Sequence, residues 1–381
     1  MTFSADDTRY MQRAIELAYQ GRFTTTPNPN VGCVLVKDGR IIGEGFHKQA
    51  GTAHAEVHAL ANAGGDAEGA TAYVTLEPCS HTGRTGPCAV ALVKAKVAKV
   101  ICAMQDPNPQ VSGRGMTMLA EAGIEVASGL LSNEAQKLNR GFLKRMRKAL
   151  PYVTCKLAAS IDGKTALANG ESKWITSAQA RADVHRLRAE HCAILSGADT
   201  VIVDNAQLNV RLDDATLSDY PLPQVRQPLR VIIDSHYRLT PELALFKQCG
   251  DIIIVRSTTA NICSSELDKQ PQWPNNVTEL MCDGAPSGQV DLHKLLVLLA
   301  QKDINSVWLE AGATLCGAMA TQKLIDRYIM YLAPKFMGSD GKGLLNIGPF
   351  AAMAQVPSLR FGEVTQIGED IRLTLEQPEV E

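Results

Sequence analysis

Two periodicities of apolar and polar residues along the chain predict an α/β protein. Residues 8–20 carry apolar side chains at helical spacing, which predicts an amphipathic first helix. The apolar runs 33–36 and 41–45 flank a turn-forming segment, Lys37 to Gly39, and are predicted to pair as a hairpin. The elements predicted after the hairpin are a helix at 54–62, a strand at 71–76, a helix at 88–96, a strand at 100–103 and a helix at 115–122.

The pattern breaks at a basic segment, residues 139–151, and then begins again. The elements predicted beyond it are strands at 152–160, 193–196, 229–233, 252–255 and 306–310, helices at 177–191, 291–301 and 313–324, a strand before 333–335, and two strands near 358–375. The stretches 205–228 and 256–290 are rich in Pro, Gln, Asn and Ser, and are expected to form irregular surface insertions. A chain of 381 residues with this break predicts two α/β domains, 1–147 and 148–381.

Charge and composition narrow the class of partner. The chain has 38 basic and 40 acidic residues, which leaves no electrostatic footprint for a nucleic acid or an anionic membrane. We interpret the cluster of basic residues at 144–148 as a solvated surface rather than a nuclear signal or nucleic-acid patch. The acidic segment 1–7 does not fit a signal peptide, and the longest apolar run, 295–300, is too short to span a bilayer.

The ten cysteines do not form the pattern of a disulfide framework in a chain of this length. Several of them, such as Cys33 and Cys102, lie within apolar runs and are expected to be buried thiols. This usage suits a reducing compartment, so we expect a cytoplasmic protein that binds neither nucleic acid nor membrane.

One constellation in the first domain carries chemistry. His54 and Glu56 open a predicted helix, and the predicted strand after that helix leads to Cys79 and Cys88. One imidazole and two thiolates supply three zinc ligands, and three protein ligands are typical of a catalytic site with a free coordination position. A neighbouring carboxylate can transfer the proton of a metal-activated water. The pattern follows the signature of zinc-dependent nucleobase deaminases, with a wider gap between the cysteines.

Three alternative interpretations of these residues are a structural zinc site, a zinc protease and a deaminase of nucleic acids. A purely structural zinc site would need a fourth ligand, for which His58 and His81 are the candidates. We favour His58 as a core or hydrogen-bonded residue, and His81 as a contact to substrate or to the loop backbone. The zinc-protease motif is excluded because the glutamate is the third residue of the box rather than the second. A deaminase of nucleic acids would need a basic groove lined with aromatic side chains, against which the net charge of −2 and the 5% aromatic content argue.

The second domain has neither the glycine fingerprint of dinucleotide-binding folds nor a P-loop. Residues 308–318 do read as a strand, a glycine turn and a helix, whose first N–H groups could bind a phosphate. Glycine at such a turn is as often there for steric reasons. The polar stretches 170–176 and 199–201 at the ends of elements are further candidate ligand loops.

Longer motifs add a family resemblance that runs from about residue 8 to the C-terminus. The first domain contains Pro-Asn-Pro-Asn-Val-Gly at 27–32, His-Ala-Glu-Val-His at 54–58, Thr-Leu-Glu-Pro-Cys-Ser-His at 75–81 and Gln-Asp-Pro-Asn-Pro at 105–109. The second contains Lys156, Ser-Ile-Asp-Gly-Lys at 160–164, Ser-Lys-Trp-Ile-Thr at 172–176, Glu-Ala-Gly at 310–312 and Ala-Pro-Lys at 333–335. With these motifs the chain resembles the bifunctional riboflavin-biosynthesis deaminase/reductases of bacteria, in which the long gap between the cysteines is typical.

The resemblance implies an N-terminal cytidine-deaminase-like α/β/α domain and a C-terminal α/β domain similar to dihydrofolate reductase. It implies hydrolytic deamination of a diaminohydroxypyrimidine that carries a phosphoribosylamino group, followed by NADPH-dependent reduction of the ribosyl unit to ribityl. One zinc ion per deaminase domain would be bound by His54, Cys79 and Cys88, with Glu56 as the catalytic proton carrier. The family pattern also suggests a homo-oligomer, a dimer or larger.

The resemblance further assigns residues of the second domain to ligands. Those matching positions that bind the phosphorylated substrate are Lys156, Ser172, Arg188, Leu208, Arg211 and Glu310. Those matching contacts to NADPH are Ala158, Trp174, Thr200, Asp204, Ser235, Gly312, Ala313, Thr314, Leu315, Cys316, Gly317 and Ala318. The guanidinium groups of Arg188 and Arg211 suit a phosphate. The sequence departs from the family at Gly86, Ala206 and Ala313, where proline is usual.

Overall fold

The computed structural model describes residues 2–80, 86–108, 112–259, 271–285 and 287–378. The chain divides into two compact units, Met1–Leu150 with Leu217–Val225, and Pro151–Thr216 with Arg226–Glu381. The predicted domain boundary between 147 and 148 stays a prediction. Within the described residues, no helix is long and apolar enough to cross a membrane.

The first unit is built on a mixed sheet with helices packed against it. Its strands are β1 (Gly32–Lys37), β2 (Arg40–Phe46), β3 (Thr71–Val74), β4 (Lys99–Cys102) and β5 (Glu125–Ser128). Its helices are α1 (Ala5–Gln20), α2 (Ala55–Asn62), α3 (Cys88–Lys94), α4 (Arg114–Glu121), α5 (Ser132–Leu138) and α6 (Arg140–Lys148). The strand order is β2-β1-β3-β4-β5, antiparallel from β2 to β3 and parallel from β3 to β5.

Two glycines let the helices lie directly on the hairpin. A Cβ atom at Gly32 would come within 2.0 Å of the Ala14 carbonyl oxygen, and one at Gly45 within 2.5 Å of the Ala55 carbonyl oxygen. Only glycine permits backbones to approach so closely. The Gly45 contact fixes the start of α2 against β2, and α2 begins with the candidate metal residues.

The second unit contains a larger sheet. Its strands are β6 (Tyr152–Ser160), β7 (Lys164–Ala166), β8 (Ala193–Gly197), β9 (Leu229–Ile233), β10 (Ile252–Ser257), β11 (Val277–Cys282), β12 (Ser306–Leu309), β13 (Arg327–Ala333), β14 (Lys342–Gly343), β15 (Arg360–Ile367) and β16 (Asp370–Glu376). Its helices are α7 (Ala178–Glu190), α8 (Ala198–Asp204), α10 (Leu292–Gln301) and α11 (Ala313–Thr321). The short helix α9 (Asp214–Ser218) begins in this unit and ends in the first, which takes over at Leu217.

The described part of this sheet runs in the order β11-β10-β9-β8-β12-β6-β13-β16-β15, and β7 pairs separately with β14. Neighbours are parallel from β11 to β13, while β16 is antiparallel to both β13 and β15. Parallel strands place their carboxyl ends at one edge of a sheet, where α/β proteins bind ligands. The predicted α/β layering is confirmed in both units.

The prediction that 256–290 is an irregular insertion is wrong for Val277–Cys282, which forms the edge strand β11. An edge strand has one hydrogen-bonded neighbour and an exposed side, so its residues need not be apolar. Here Glu279 pairs with Arg256 of β10 at 2.7 Å, which explains an acidic residue in the strand. The first helix also begins earlier than predicted, because Ser4 and Asp7 form a capping box at its N-terminus.

Candidate active sites

The three predicted zinc ligands of the first unit converge, although they come from separate segments. His54 is the N-cap of α2, just before the first turn in which it was expected, and Cys88 is the first residue of α3. Cys79 lies in the loop after β3. The ligand atoms of the three residues all lie within 4.8 Å of one another. His54 Nδ1 is 3.2 Å from Cys88 Sγ and 3.6 Å from Cys79 Sγ.

The electrostatics of this cluster favour a thiolate. A hydrogen bond from the Cys88 thiol, together with those from His54 and the Cys88 backbone N–H, lowers the pKa of Cys79 to about 4 against the opposing effect of burial. Glu56, in the first turn of α2, is 3% exposed, and burial raises the pKa of its carboxyl group to about 7. A donor set of one imidazole nitrogen and two sulfurs, with a buried carboxylate beside it, fits zinc.

Of the two candidates for a fourth zinc ligand, His58 and His81, the structure describes only His58. His58 does not belong to the group of converging ligand atoms among the described residues. Its Nε2 atom is buried and has no hydrogen-bond partner in the part of the chain that is described. His81 lies outside the described residues, as do Pro109 and the segment between His81 and Thr85.

A third histidine, His47, supports the metal site and was not predicted. Its ring packs edge-on against the ring of His54, with the centroids 5.1 Å apart. The Ala53 carbonyl can only accept, so His47 donates its Nδ1–H there and its Nε2 accepts from the Asn28 amide. Burial lowers the pKa of His47 to about 4, so the ring is neutral. The only sequence signal was indirect, because Asn28 belongs to the Pro-Asn-Pro-Asn motif.

Glu77, which precedes Pro78 and Cys79, fixes the loop that carries the second ligand. Its buried carboxylate accepts four backbone N–H groups, from Asp106, Gly113, Gly115 and Met116, at 2.9–3.3 Å. A Cβ atom at Gly115 would come within 1.9 Å of the Pro78 carbonyl oxygen. The start of α4 is thus held against the cysteine loop by one side chain and one close backbone contact.

In the second unit, the predicted substrate residues form a charged cluster around Glu310. Arg188 donates to both carboxylate oxygens, at 2.9 and 2.7 Å, and Trp308 donates its indole N–H at 3.0 Å. Lys156 Nζ lies 4.0 Å from the same carboxylate. Burial alone would raise the pKa of Glu310, but the attraction of Arg188 and Lys156 outweighs it and holds this pKa well below its usual range.

Arg211 is placed differently from Arg188. It is exposed, and its guanidinium donates to the side-chain oxygens of Gln207 and Asn209, at 2.9 and 3.0 Å. His185 lies 3.2 Å from the same guanidinium. Burial is the largest cause that lowers the pKa of His185 to about 4, and the positive charges of Arg188 and Arg211 act in the same direction. The His185 ring is therefore neutral. The guanidinium of Arg188 is by contrast occupied by Glu310 and by the Asn209 carbonyl.

Two more predicted substrate residues lie in connecting segments. Leu208 is buried in the core cluster of this unit and has a positive φ of 50°, so only its backbone could face a ligand. Ser172 lies in the segment that leads to α7, two residues before Trp174. The Trp174 side chain is 66% exposed, which is unusual for so large an aromatic residue.

The predicted NADPH residues come to one edge of the large sheet. Ala158 lies in the carboxyl-terminal half of β6, Thr200 and Asp204 lie in α8 directly after β8, and Ser235 follows β9. Gly312 is the N-cap of α11, and Ala313–Ala318 form the first turns of that helix. A Cβ atom at Gly312 would meet nothing within 4 Å, so the helix start faces open space, as bound phosphates would require. Within this segment Cys316 and Gly317 are buried, and Gly317 packs against Asn346.

Comparison with known proteins places the two units in families. Residues 4–104 match the model of the cytidine and deoxycytidylate deaminase zinc-binding region, and residues 151–373 match the RibD C-terminal domain. The riboflavin biosynthesis protein RibD of Escherichia coli is 50% identical over 372 residues, which cover 97% of this chain and 99% of the relative. The chain belongs to the RibD family.

Solved RibD structures agree with this assignment over nearly the whole chain. RibD of Acinetobacter baumannii has a TM-score of 0.87 at 46% identity and covers 97% of this chain and 98% of its own. A diaminohydroxyphosphoribosylaminopyrimidine deaminase/5-amino-6-(5-phosphoribosylamino)uracil reductase of Thermotoga maritima has a TM-score of 0.84 at 32% identity, with coverage of 98% and 99%.

Three expectations from the sequence are thereby confirmed. The chain is a RibD-type protein, it joins a cytidine-deaminase-like domain to a reductase domain, and it is a bifunctional deaminase and reductase of riboflavin biosynthesis. Its metal, cofactor and substrate residues remain predictions. The structure brings the three zinc-ligand candidates together beside Glu56, and it gathers Lys156, Arg188 and Glu310 into one cluster.

Proposed function

We propose that this chain catalyses two consecutive reactions. The first unit hydrolyses the amino group at C2 of a diaminohydroxypyrimidine that carries a phosphoribosylamino group. Oxygen from water replaces this amino group, which leaves as ammonia. The second unit then reduces the ribosyl unit of that product to ribityl with NADPH. The observation that carries the proposal is the convergence of His54, Cys79 and Cys88 beside a buried glutamate.

In the first reaction, His54, Cys79 and Cys88 hold the zinc ion. When bound, zinc supplies Lewis acidity that lowers the pKa of a coordinated water towards about 7. Glu56 receives a proton from water on its carboxylate and delivers it to the departing amino group, which leaves as ammonia. The burial of Glu56 keeps bulk water from competing for this proton. His47 and Asn28 fix the orientation of the His54 ring.

In the second reaction, the chain orients the two reactants. NADPH supplies the hydride, so the protein needs correct positioning more than an acid–base pair. Lys156 lies on β6 close to the Glu310 carboxylate and orients the ribosyl unit. We assign the phosphate chiefly to Arg211, since Arg188 already pairs with Glu310 through a two-pronged hydrogen bond.

Assembly and location also belong to the proposal and rest on the family resemblance. We propose a homo-oligomer, a dimer or larger, that acts in the cytoplasm on a small molecule. The nine cysteines among the described residues are all free thiols, which suits a reducing compartment.

The decisive experiment compares the wild type with Glu56→Gln. Ammonia release from the diaminopyrimidine ribonucleotide is measured, zinc is counted in both proteins, and NADPH oxidation is followed with the deaminated product as substrate. Glu68→Gln is the matched control, because Glu68 is an exposed residue of the same unit that only approaches Lys96 at 3.4 Å.

We expect Glu56→Gln to retain zinc and NADPH oxidation, and to lose ammonia release by at least about a hundredfold, the usual contribution of a general acid–base group. Glu68→Gln should behave like the wild type in all three assays. Deamination at the wild-type rate by Glu56→Gln would contradict the role of Glu56. A wild type that binds zinc but releases no ammonia would contradict the proposed first reaction itself.

A further inference from the structure

The segment 172–176 presents two predicted ligand residues, Ser172 and Trp174, between two anchored ends. At one end, the Leu167 N–H donates to the Glu171 carbonyl at 2.9 Å and closes a turn. At the other end, Ser177 donates its N–H and its hydroxyl to Asp370, at 2.8 and 2.7 Å. Fixed ends alone do not determine where the middle of a loop lies, because its φ and ψ angles stay free.

Lys335 holds the middle of this segment from another part of the chain. Its ammonium group donates to the Trp174 carbonyl at 2.9 Å and to the Ile175 carbonyl at 2.8 Å. Lys335 follows β13, and its own carbonyl accepts from the Ile161 N–H at 3.0 Å, which ties it to the end of β6. The lysine is thus fixed at the same sheet edge that carries the predicted cofactor residues.

Arg181 of α7 completes the support. Its guanidinium donates to the Thr176 carbonyl at 2.7 Å and lies 4.4 Å from the centroid of the Trp174 ring. Three consecutive carbonyls, of Trp174, Ile175 and Thr176, therefore each accept a hydrogen bond from a cation. The indole stays largely exposed although its backbone is fixed, which is the arrangement expected of a side chain that meets a ligand.

We propose that Lys335 is a positioning residue of the reductase site, which holds the 172–176 segment in the conformation that receives NADPH and substrate. The identity of these ligands rests on the proposed function, while the contact itself rests on the hydrogen bonds above. Lys335 is exposed, so its carbonyl partners can be hydrated when it is removed, and the fold should lose little stability. Lys335 therefore affects the position of the 172–176 segment rather than the stability of the fold, which distinguishes a positioning residue from a merely structural one.

The test uses the full-length, zinc-loaded protein with Lys335→Met, which keeps an unbranched side chain of similar length but has no donors, and Lys335→Arg, which keeps the charge. Lys294→Met is the matched control, because Lys294 is an exposed lysine of the same unit that pairs with Asp283. NADPH affinity is measured by calorimetry, and KM and kcat of the reduction are measured separately. Trypsin cleavage after Lys173, followed by mass spectrometry, reports the segment directly, since cleavage requires it to leave its folded conformation.

We expect Lys335→Met to weaken NADPH binding about tenfold, as expected for a lost charged hydrogen bond, and to raise KM more than it lowers kcat. Cleavage after Lys173 should become faster, while the melting temperature and ammonia release should stay at the wild-type level. Lys335→Arg should recover most of the affinity, and Lys294→Met should match the wild type. Unchanged cleavage after Lys173 in Lys335→Met would overturn the proposal whatever the affinity. If the wild type itself bound no NADPH, the proposed function would fail, and the cleavage assay would still decide the role of Lys335.

Discussion

Replacing Glu77 by glutamine should loosen the zinc site without touching a zinc ligand. The carboxylate of Glu77 accepts two N–H groups on each oxygen, from Asp106 and Gly113 on Oε2 and from Gly115 and Met116 on Oε1. A glutamine side chain has one carbonyl oxygen and can keep only one of these pairs. The NH2 group of the glutamine would face the other two backbone N–H groups. Because both sides are hydrogen-bond donors, these two N–H groups would have no acceptor in the side chain.

The size of the effect follows from this geometry. Each buried N–H left without an acceptor costs about 1–3 kcal/mol, and the two remaining bonds lose their charged partner. The free energy of unfolding of the first unit should therefore fall by about 3–5 kcal/mol. For a unit of this size, the melting temperature changes by about 2–4 °C per kcal/mol, so a decrease of roughly 10 °C is expected.

The assay follows the thermal unfolding of the first unit at a fixed zinc concentration and again after chelation, since bound zinc adds its own stabilisation. Zinc affinity is measured by competition with a chromophoric chelator, and we expect it to fall because only Pro78 separates Glu77 from Cys79. Glu68→Gln removes an exposed pairing at 3.4 Å and should change the unfolding free energy by less than about 0.5 kcal/mol.

A Glu77→Gln protein with the melting temperature and zinc affinity of the control would refute this reasoning. It would mean that the four N–H groups are satisfied in another way, by water or by a shifted loop. A loss of stability with unchanged zinc affinity would contradict only the coupling of Glu77 to the cysteine loop.

Two further predictions concern the second unit. His191 is buried, donates to the Leu187 carbonyl and accepts from the Thr154 hydroxyl, and burial lowers its pKa from 6.5 to about 3. Its neutral form therefore stabilises the fold above the unfolded-state pKa, and this stability is lost as the pH falls from 6.5 towards 3. Urea unfolding at pH 7 and pH 5 should show a loss of roughly 2 kcal/mol that is absent in His191→Gln. Ala313→Pro should raise the free energy of unfolding by about 0.5–1 kcal/mol in a urea titration, because Ala313 is the first residue of α11 and Gly312 is extended. NADPH oxidation should stay intact, because the family usually has proline at this position.

Much of the fold was predictable because long, regular patterns carry it. The predicted strand at 152–160 matches β6 residue for residue, and the predicted helix at 177–191 matches α7 within one residue at each end. Short elements with weak patterns were missed, among them the seven-residue helix α8, in which residues 199–201 are predicted to form a polar ligand loop. The edge strand β11 was missed because it needs few apolar residues.

The candidate ligand residues were predictable, but the residues that position them were not. His54, Cys79 and Cys88 form a motif whose spacing reflects shared chemistry. Glu77 and Lys335 act on backbone N–H and carbonyl groups, which every residue possesses, so their partners leave no mark in the sequence. The contacts are also distant, since Lys335 is 161 residues from Trp174 and Glu77 is 38 residues from Gly115.

The charge of the reductase site shows where residue types alone mislead. The sequence suggested that both Arg188 and Arg211 suit the substrate phosphate, but Glu310 neutralises Arg188 at 2.7 Å in a partly buried pair. Lys156 also lies 4.0 Å from the Glu310 carboxylate. The guanidinium of Arg211 contacts only neutral groups among the described residues, since the pKa of His185 is lowered to about 4 and its ring is neutral at physiological pH. We therefore expect Arg211 to be the main partner of the substrate phosphate, which carries close to two negative charges near pH 7. Arg188 is better placed to hold Glu310 in position for the pyrimidine or ribose groups, which offer hydrogen-bond donors to a carboxylate.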